Sequence, residues 1–431
     1  MAILLGKIAI KLSRMMGHRG SDVGGRIALK FSKRIFKKLI SKIDTVILIT
    51  GTNGKSTVTN LLAEVLEQVD STTISNKTGA NMYTGILSIM VEKYRFFKDN
   101  KIKYGVFEVD EGNVYKVMQE LDHNYLVITN FFRDQLDRYS EMDLLIDKIK
   151  NSLENKDVKL IINADDPFCY RFNKYNYVSY GLTSAITSFE AGSISDSKYC
   201  PECGKELRYT SVFYGQLGHY QCDCGYNRPT PKYNLEAINN NEIIINNHTY
   251  HHQLKGNYNV YNLLAAISML KELNISEDTI EKGVANYQAI GGRMQKITIK
   301  NNSIYLNLVK NHTGMNMTLQ EAKNIEPEHI AFILNDNEGD GRDVSWIWDA
   351  DFEYLLALDI EKYFVSGTRA YDMALRLKNM GIPRHKIVIN NLFATLVDVV
   401  TNKDALVIVS YTALNETKKL LEEKGEVKSG L

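Results

Sequence analysis

Two groups of residues in this sequence have the types and spacing to do chemistry. The first is Thr50-Gly51-Thr52-Asn53-Gly54-Lys55-Ser56-Thr57. It follows Val46 to Ile49, whose β-branched run predicts a buried strand, and precedes Val58 to Gln68, whose pattern predicts a helix. A glycine-rich turn in that setting aims backbone N–H groups and a helix N-terminus at one point, which suits nucleotide phosphates. Lys55 would then meet the terminal phosphates and the Ser56 hydroxyl would bind magnesium. The loop is short: its first glycine is Gly51, whereas the general phosphate loop would place one at Ile49. A glycine turn that only caps a helix is the plainer reading. The second group is Cys200-Pro-Glu-Cys203-Gly with Cys222-Asp-Cys224-Gly, two knuckles 18 residues apart. Four thiolates at this spacing predict a closed, tetrahedral, structural zinc site, against a disulfide pair or inert thiols. Cys169, outside the cluster, is expected as a small buried apolar residue.

The elements that must position these groups follow from the rest of the pattern. At 431 residues, with 44% hydrophobic and 24% charged, the chain suits two or three globular domains. No apolar run approaches the ~20 residues a bilayer helix needs. The net charge of +1 hides an asymmetry, because residues 1–42 carry eleven Lys or Arg against the single acid Asp22. The other 389 residues hold 41 bases and 50 acids, so a basic arm precedes an acidic body and points to an anionic partner. The arm lacks the uninterrupted apolar stretch and cleavage site of an export signal, and a cytoplasmic protein is expected. Two stripes in it, Ile8/Leu12/Met15 and Ile27/Phe31/Ile35/Leu39, predict short helices that pack on the body and turn basic faces to solvent, with direct membrane contact as the less favoured alternative. Beyond it, strands are predicted at Val106–Val109, Leu126–Ile128 and Leu160–Ile162, and a helix at Tyr258–Leu273. Further strands are expected at Ile304–Leu308, Ile330–Leu334, Tyr363–Val365, Lys386–Ile389 and Ala405–Val409. This alternation predicts parallel sheets covered by helices.

The shortened loop G-T-N-G-K-S-T resembles the ATP-binding loop of the Mur ligases and folylpolyglutamate synthases. Those enzymes convert a carboxylate to an acyl phosphate that an amine then displaces. The resemblance continues in order. Glu108, in Phe107-Glu108-Val109-Asp110-Glu111-Gly112, matches the family's magnesium-binding glutamate, and a strand-end carboxylate facing a phosphate loop suits metal bridging. Thr129-Asn130 with Asp134-Gln135-Leu136-Asp137 resembles a segment in which Gln135 replaces the usual histidine. Asn163-Ala164-Asp165-Asp166-Pro167 matches N-A-D-D-P. Asn259 and Asn262 match asparagines near the base and ribose, and Arg293 matches a phosphate-reaching arginine. A carbamylated lysine is common in these ligases, with Lys148 and Lys150 in the right neighbourhood.

A cysteine ribbon inserted in such a domain narrows the resemblance to the MurT family, synthetase subunits that work with a GatD-type glutaminase. The resemblance implies an α/β protein with an N-terminal basic arm (1–42). A Mur ligase central ATP-binding domain follows (43–298), carrying a zinc-ribbon insertion (196–229), and then a smaller Rossmann-like α/β domain (299–431). No room precedes the loop for a UDP-substrate domain, so a lipid-carried substrate at the membrane surface is expected, with the protein peripheral at its inner face. Where amino-acid-adding ligases carry D-Y-A-H-N-P, this chain has Asn307-Leu308-Val309-Lys310-Asn311-His312. The run Asp340-Gly341-Arg342-Asp343-Val344-Ser345-Trp346-Ile347-Trp348-Asp349, with Ser366–Arg369 and Ser410–Ala413, matches the MurT C-terminal domain. The partner's cysteine–histidine pair needs a third, acidic member to orient its histidine. Asp349 is assigned that role, with Asp343 second, and a loop or capping carboxylate is the plainer reading for either. The implied activity is ATP- and magnesium-dependent amidation of lipid II D-glutamate to D-isoglutamine by a heterodimer. The alternatives are a Mur-type ligase that adds an amino acid, or a nucleic-acid-binding phosphate-loop protein, which the acidic body disfavours.

Overall fold

A computed structural model describes the chain except for residues 17–19, 78–79, 97–100, 122, 133–138, 187–196, 240, 255, 289–293, 338, 400–402 and 425–431. Two compact units emerge, one comprising Met1–Arg133, Tyr139–Gln253 and Tyr258–Tyr287, the other built mainly from Gln288–Leu431.

The first unit opens with three helices, α1 (Ala2–Met15), α2 (Val23–Phe31) and α3 (Ile35–Ile40). Its strands are β1 (Ile43–Thr50), β2 (Ile74–Ser75), β3 (Ile102–Glu108), β4 (His123–Ile128), β5 (Asp157–Asn163) and β6 (Tyr177–Leu182), then β7 (Arg208–Tyr214), β8 (Leu217–Gln221), β9 (Tyr233–Asn239), β10 (Glu242–Ile245) and β11 (His248–His251). The later helices are α4 (Lys55–Val69), α5 (Tyr83–Lys93), α6 (Val114–Met118), α7 (Tyr139–Leu153), α8 (Asn257–Glu272) and α9 (Glu277–Asn286). Nine strands form one sheet in the order β11-β10-β9-β6-β5-β4-β1-β3-β2, while β7 and β8 make a separate ribbon. From β2 to β9 all neighbours are parallel. Val46 to Ile49 are buried because β1 is covered on both faces, the condition that makes a parallel strand read as an unbroken apolar run. The chain leaves β1 toward β2 but leaves β4 toward β5. The connections therefore diverge over the carboxyl ends of β1 and β4, where open α/β sheets bind ligands. The antiparallel edge β9-β10-β11 was not expected from the sequence. Its β10–β11 turn is Asn246-Asn247, both with positive φ (49° and 63°), the two-residue hairpin that asparagine tolerates.

The second unit holds β12 (Gln295–Ile299), β13 (Asn302–Leu308), β14 (His329–Ile333), β15 (Lys362–Ser366), β16 (Ile387–Ile389) and β17 (Ala405–Val409) in the order β12-β13-β17-β14-β15-β16, all parallel except the β12–β13 hairpin. Its helices are α10 (His312–Ile325), α11 (Ala370–Asn379), α12 (Leu392–Val399) and α13 (Tyr411–Lys424).

The basic arm departs from its expected packing. Ile8, Leu12 and Met15 do not face the body; they are 46%, 52% and 74% exposed, and Phe31 of the second stripe is exposed as well. The inward face of α1 is instead Ala2, Gly6 and Ile10, and that of α2 is Gly24, Gly25 and Ala28. Only Ile35 and Leu39, now on α3, are buried as expected. Small residues win the inner positions because the helices approach closely. Gly6 lies against the Gly24 carbonyl, and a Cβ on Gly25 would overlap the Thr84 carbonyl of α5. The Gly25 N–H donates to Ser88 Oγ at 2.7 Å.

Gly25→Ala is therefore expected to destabilise the protein by about 1–3 kcal/mol through overpacking, despite a helix-propensity gain of roughly 1 kcal/mol. Urea unfolding followed by circular dichroism checks this, and an unchanged or raised midpoint would contradict the close approach.

Candidate active site

The phosphate loop leaves β1 at its carboxyl end and is pinned from the side by the chain that follows β4. Thr52 N–H donates to the Asn130 carbonyl (2.9 Å). The Thr52 hydroxyl accepts from Phe132 N–H (3.0 Å) and donates to the Phe132 carbonyl (3.1 Å). Asn130 grips the loop reciprocally: its Oδ1 accepts from Asn53 N–H (2.9 Å) and its Nδ2 donates to the Asn53 carbonyl (3.1 Å). The Thr129 hydroxyl reaches the same carbonyl at 2.7 Å. Gly54, the residue before α4, has φ +88°, and a Cβ there would collide with Asn262 Oδ1, so both conformation and space demand glycine. Asn262, buried, thus bears on the back of the loop, and its Nδ2 donates to the buried Asn259 Oδ1 at 2.9 Å.

Lys55 opens α4 with its ammonium turned back on the loop. Nζ donates to the Gly51 carbonyl, to the Thr52 carbonyl (3.2 Å) and to Glu111 Oε1 (3.1 Å). Burial pulls its pKa down, but Glu111, Glu108 and Asp110 outweigh that and raise it, so the cation is secure. Register places Glu108 beside Ile49 at the end of β3. Glu108 is buried, and two asparagines hold it: Asn76 bonds both its N–H and its carbonyl (each 2.8 Å), and Asn81 Nδ2 donates to Oε1 (3.1 Å). Asn53 Nδ2 is buried without a partner among the described residues, a donor left over in a cradle of backbone amides. These donors fit a polyphosphate, and the carboxylate near the Ser56-bearing first turn of α4 fits a magnesium ion. Glu111, Asn76 and Asn81 were not singled out from the sequence; nothing local to Asn76 or Asn81 marks them as neighbours of a residue some 30 positions away. Arg293 and the segment Asp134-Gln135-Leu136-Asp137 lie outside the described residues. Lys148 and Lys150 sit in the last two turns of α7, which run back toward the amino ends of the strands, away from the loop.

Asn163-Ala164-Asp165-Asp166-Pro167 underpins this site. Asn163 Nδ2 donates to the Thr129 carbonyl (3.2 Å), and Asp166 accepts from Phe131 N–H (2.8 Å) and Phe168 N–H (2.9 Å). Asp165 accepts from Leu182 N–H (2.8 Å), the Tyr261 hydroxyl (2.7 Å) and Arg228 Nε (2.6 Å). Burial, without a cation beside it, pushes Asp166 up to about 6. Cys169 is buried, its thiol 3.5 Å from Asp166, as expected for a small interior residue.

The cysteine cluster closes the end of the β7–β8 ribbon. Cys200 and Cys224 Sγ are 3.7 Å apart and Cys203 and Cys222 Sγ 3.5 Å, with all four sulfurs within 4.8 Å of one another. Tetrahedral zinc with bonds of about 2.3 Å requires edges of about 3.8 Å, so the set fits that ion. Gly204 N–H to the Cys200 carbonyl (2.9 Å) and Gly225 N–H to the Cys222 carbonyl (3.0 Å) close the two knuckles. The Cys224 N–H draws the Cys222 thiol down to about 7, whereas burial pushes Cys200 up to about 12. His219 is engaged elsewhere, on the Leu182 carbonyl at 2.8 Å.

In the second unit three loops meet at the carboxyl ends of β14, β15 and β17. Asn335 N–H donates to Ser410 Oγ (2.9 Å), Thr368 N–H to Asn335 Oδ1 (3.0 Å) and Thr412 N–H to Asp340 Oδ1 (2.7 Å). The Thr368 hydroxyl holds the Asp336 carboxyl below its ordinary range. Asp343 accepts from Ser345 N–H (2.8 Å) in an Asx turn that leads into the 3₁₀ turn Ser345–Trp348. Asp349 follows that turn and is exposed. Arg376, buried on α11, donates to the Ile347 (3.2 Å) and Ala350 (2.9 Å) carbonyls on either side of it and lies against Trp348.

Residues 49–270 match the Mur ligase middle domain, and residues 308–414 match the MurT ligase C-terminal domain. The chain is 39% identical to the lipid II isoglutaminyl synthase (glutamine-hydrolyzing) subunit MurT of Staphylococcus aureus (strain COL), over 96% of this chain and 95% of that one. The chain belongs to the MurT family. The MurT subunit of Streptococcus pneumoniae (strain ATCC BAA-255 / R6) is 31% identical over 94% of this chain and 93% of its own. Among solved structures, a pseudomurein peptide ligase type C from Methanothermus fervidus superposes with a TM-score of 0.67 at 22% identity, covering 88% of this chain and 79% of that one. MurF from Acinetobacter baumannii does so at 0.63 and 15%, covering 95% and 80%. These two establish that the MurT-family chain has the Mur ligase α/β fold.

Purified protein is expected to carry about one zinc per chain, and Cys203→Ser, at the ribbon surface, to lose it. Metal analysis with a chromogenic chelator checks this; four freely titratable thiols in metal-free protein would contradict it.

Proposed function

We propose that the chain is the synthetase subunit of a glutamine-dependent amidating ligase of peptidoglycan synthesis. In this reading ATP phosphorylates the α-carboxylate of D-glutamate in the lipid II stem peptide. Ammonia released by a GatD-like glutaminase then attacks the acyl carbon, and inorganic phosphate leaves to give D-isoglutamine. The observation that carries the reading is the 39% identity to a MurT subunit running through both the phosphate loop and the C-terminal domain. The family's work on lipid II supports a cytoplasmic protein peripheral at the inner face of the membrane, organised as arm 1–42, central domain 43–298 with the 196–229 ribbon, and C-terminal domain 299–431.

The geometry of the loop supports the following residue roles, and the family resemblance alone supplies that of Arg293. Gly51, Thr52, Asn53, Gly54 and Thr57 supply the backbone cradle, and Lys55, released from Glu111, neutralises the transferring phosphoryl oxygens. Asn259 and Asn262 brace the loop from behind, and Arg293 adds a further phosphate contact. Magnesium, held through Ser56 and Glu108, supplies charge neutralisation on the phosphates. Asn76 and Asn81 fix the Glu108 carboxylate for that task. The ribbon cysteines hold zinc as a structural brace, since four sulfurs leave no open position. Asp349 supplies the acidic member of the glutaminase's triad. Its carboxylate has no partner among the described residues, and Arg376 fixes the backbone on both sides of it. Asp343, engaged by the Ser345 N–H, is the lesser choice.

With ATP, lipid II and ammonium, Asp349→Asn should amidate the stem peptide as the parent does. With glutamine and the partner subunit it should lose about 10³–10⁴-fold in kcat, the effect of removing a triad acid. Lys55→Ala should lose both reactions. Mass spectrometry of the stem peptide reads acid against amide, and loss of the ammonium reaction in Asp349→Asn would reject the triad assignment.

A further inference from the structure

The arm's outermost helix carries a feature that amidation does not use. Along α1, Leu4, Ile8, Leu12 and Met15 recur at helical spacing and all point outward, 46% to 74% exposed. This is no fraying end, since the opposite face of the same helix is locked by Gly6 and Ile10 against α2, and one edge by two polar contacts against α5. Arg14 pairs with the Glu92 carboxylate through both guanidinium nitrogens (2.8 and 3.0 Å), and Lys7 Nζ donates to the Glu92 carbonyl (2.7 Å). A firmly seated helix thus displays leucine and isoleucine to water, which monomeric soluble proteins avoid over a contiguous face.

Charge identifies what covers it. Helix α1 contains no acid, and its bases Lys7, Lys11 and Arg14 succeed one another along one edge of the apolar stripe, where Lys7 and Arg14 also hold Glu92 of α5 and Lys11 is exposed. On that edge Lys7, Ile10, Lys11, Arg14, Met15 and Glu92 line a depression of about 460 Å³. An apolar stripe flanked by a basic edge is the pattern of a helix lying in the plane of an anionic bilayer, its apolar side chains in the acyl boundary and its cations at the headgroups. The arm around it is +10 while the body is −9, so the attraction is local and would orient the molecule. A protein partner would need matching acids opposite the basic edge as well as an apolar groove; a phosphatidylglycerol-rich surface offers both requirements at once. No helix among the described residues is long and apolar enough to cross a membrane, so contact would be by lying on it.

We propose that α1 docks the protein on anionic phospholipid bilayers by inserting Leu4, Ile8, Leu12 and Met15 into the interface, with Lys11 and the exposed side of the Arg14 guanidinium at the headgroups. The inference sharpens the peripheral location proposed above and rests on it, but not on the amidation chemistry.

Flotation of the full-length protein with vesicles free of lipid II tests it. Phosphatidylcholine vesicles containing phosphatidylglycerol should carry the parent protein, and pure phosphatidylcholine vesicles at least about tenfold less. Raising salt should release the protein. Ile8→Asn combined with Leu12→Asn should lower the floated fraction about tenfold while the circular dichroism spectrum and unfolding midpoint stay unchanged, because both side chains are outside the core. Leu12→Trp, which keeps the apolar character, should bind as the parent and shift its emission to the blue with anionic vesicles only. Equal flotation of the double variant, equal binding to neutral vesicles, or a stripe that the double variant shows to join two copies of the chain instead would each overturn the proposal. Amidation of detergent-solubilised lipid II by the parent is a separate readout: its failure alongside intact vesicle binding would reject the amidation reading and leave this one standing.

Discussion

The reciprocal bond between the Asn130 side chain and the Asn53 backbone is the constraint on which the candidate active site depends. A loop meant to wrap phosphates must hold its N–H groups open toward the ligand, so it needs support for its other polar groups from elsewhere. Here that support comes from the end of β4. Thr129 and Asn130 take up loop groups, Phe132 continues the contact through Thr52, and the loop is fixed before any ligand arrives. The glycines follow from this closeness, since a side chain on Gly51 would occupy the space of Thr129 and Asn130. A buried polar network of this kind is rigid when every member is satisfied, and each lost partner costs about 1–3 kcal/mol.

That support has its own foundation. The strand-end segment of Asp165 and Asp166 is fully buried and serves two directions at once. Asp166 holds the Phe131 N–H next to Asn130, while Asp165 receives Arg228 and faces the ribbon, whose Gly218 N–H donates to the Asp165 carbonyl (2.9 Å). Gln216 Nε2 completes the tie by donating to the Phe131 carbonyl (2.7 Å). The ribbon is therefore braced on the same few residues that brace the phosphate loop. The two carboxylates differ in how their burial is offset. Asp165 has a guanidinium at 2.6 Å, whereas Asp166 has amide donors and the Cys169 thiol, and burial raises it to about 6.

The arm shows a different balance. The inward faces of α1 and α2 are mostly glycine and alanine, with Ile10 beside them, because backbone approach rather than apolar volume sets how α1, α2 and α5 pack, whereas α3 buries Ile35, Phe36, Leu39 and Ile40. The larger apolar side chains are thereby displaced outward. Periodicity reports that a helix has two faces; it does not report which face turns inward when small residues pack as well as large ones.

The sequence by itself determined the parts that rest on local chemistry. Strand, glycine turn and helix around Lys55 are read from adjacent residues, as are the cysteine knuckles and the runs that became β13, β14, β15 and β17, because each depends on backbone preferences and thiol spacing within a few positions. Glu108 was legible as a strand-end carboxylate, and the convergence of the Asn335, Thr368 and Thr412 loops was legible only as three separate motifs. Tertiary structure alone decided which groups serve them: Asn76 and Asn81 on Glu108, Asn262 behind Gly54, Asp166 under Phe131, Arg376 around Asp349, and the outward turn of the α1 stripe. Each of these joins residues distant in the chain through hydrogen bonds or close packing, and such contacts depend on where the sheet and its covering helices bring backbone together, which no local pattern encodes.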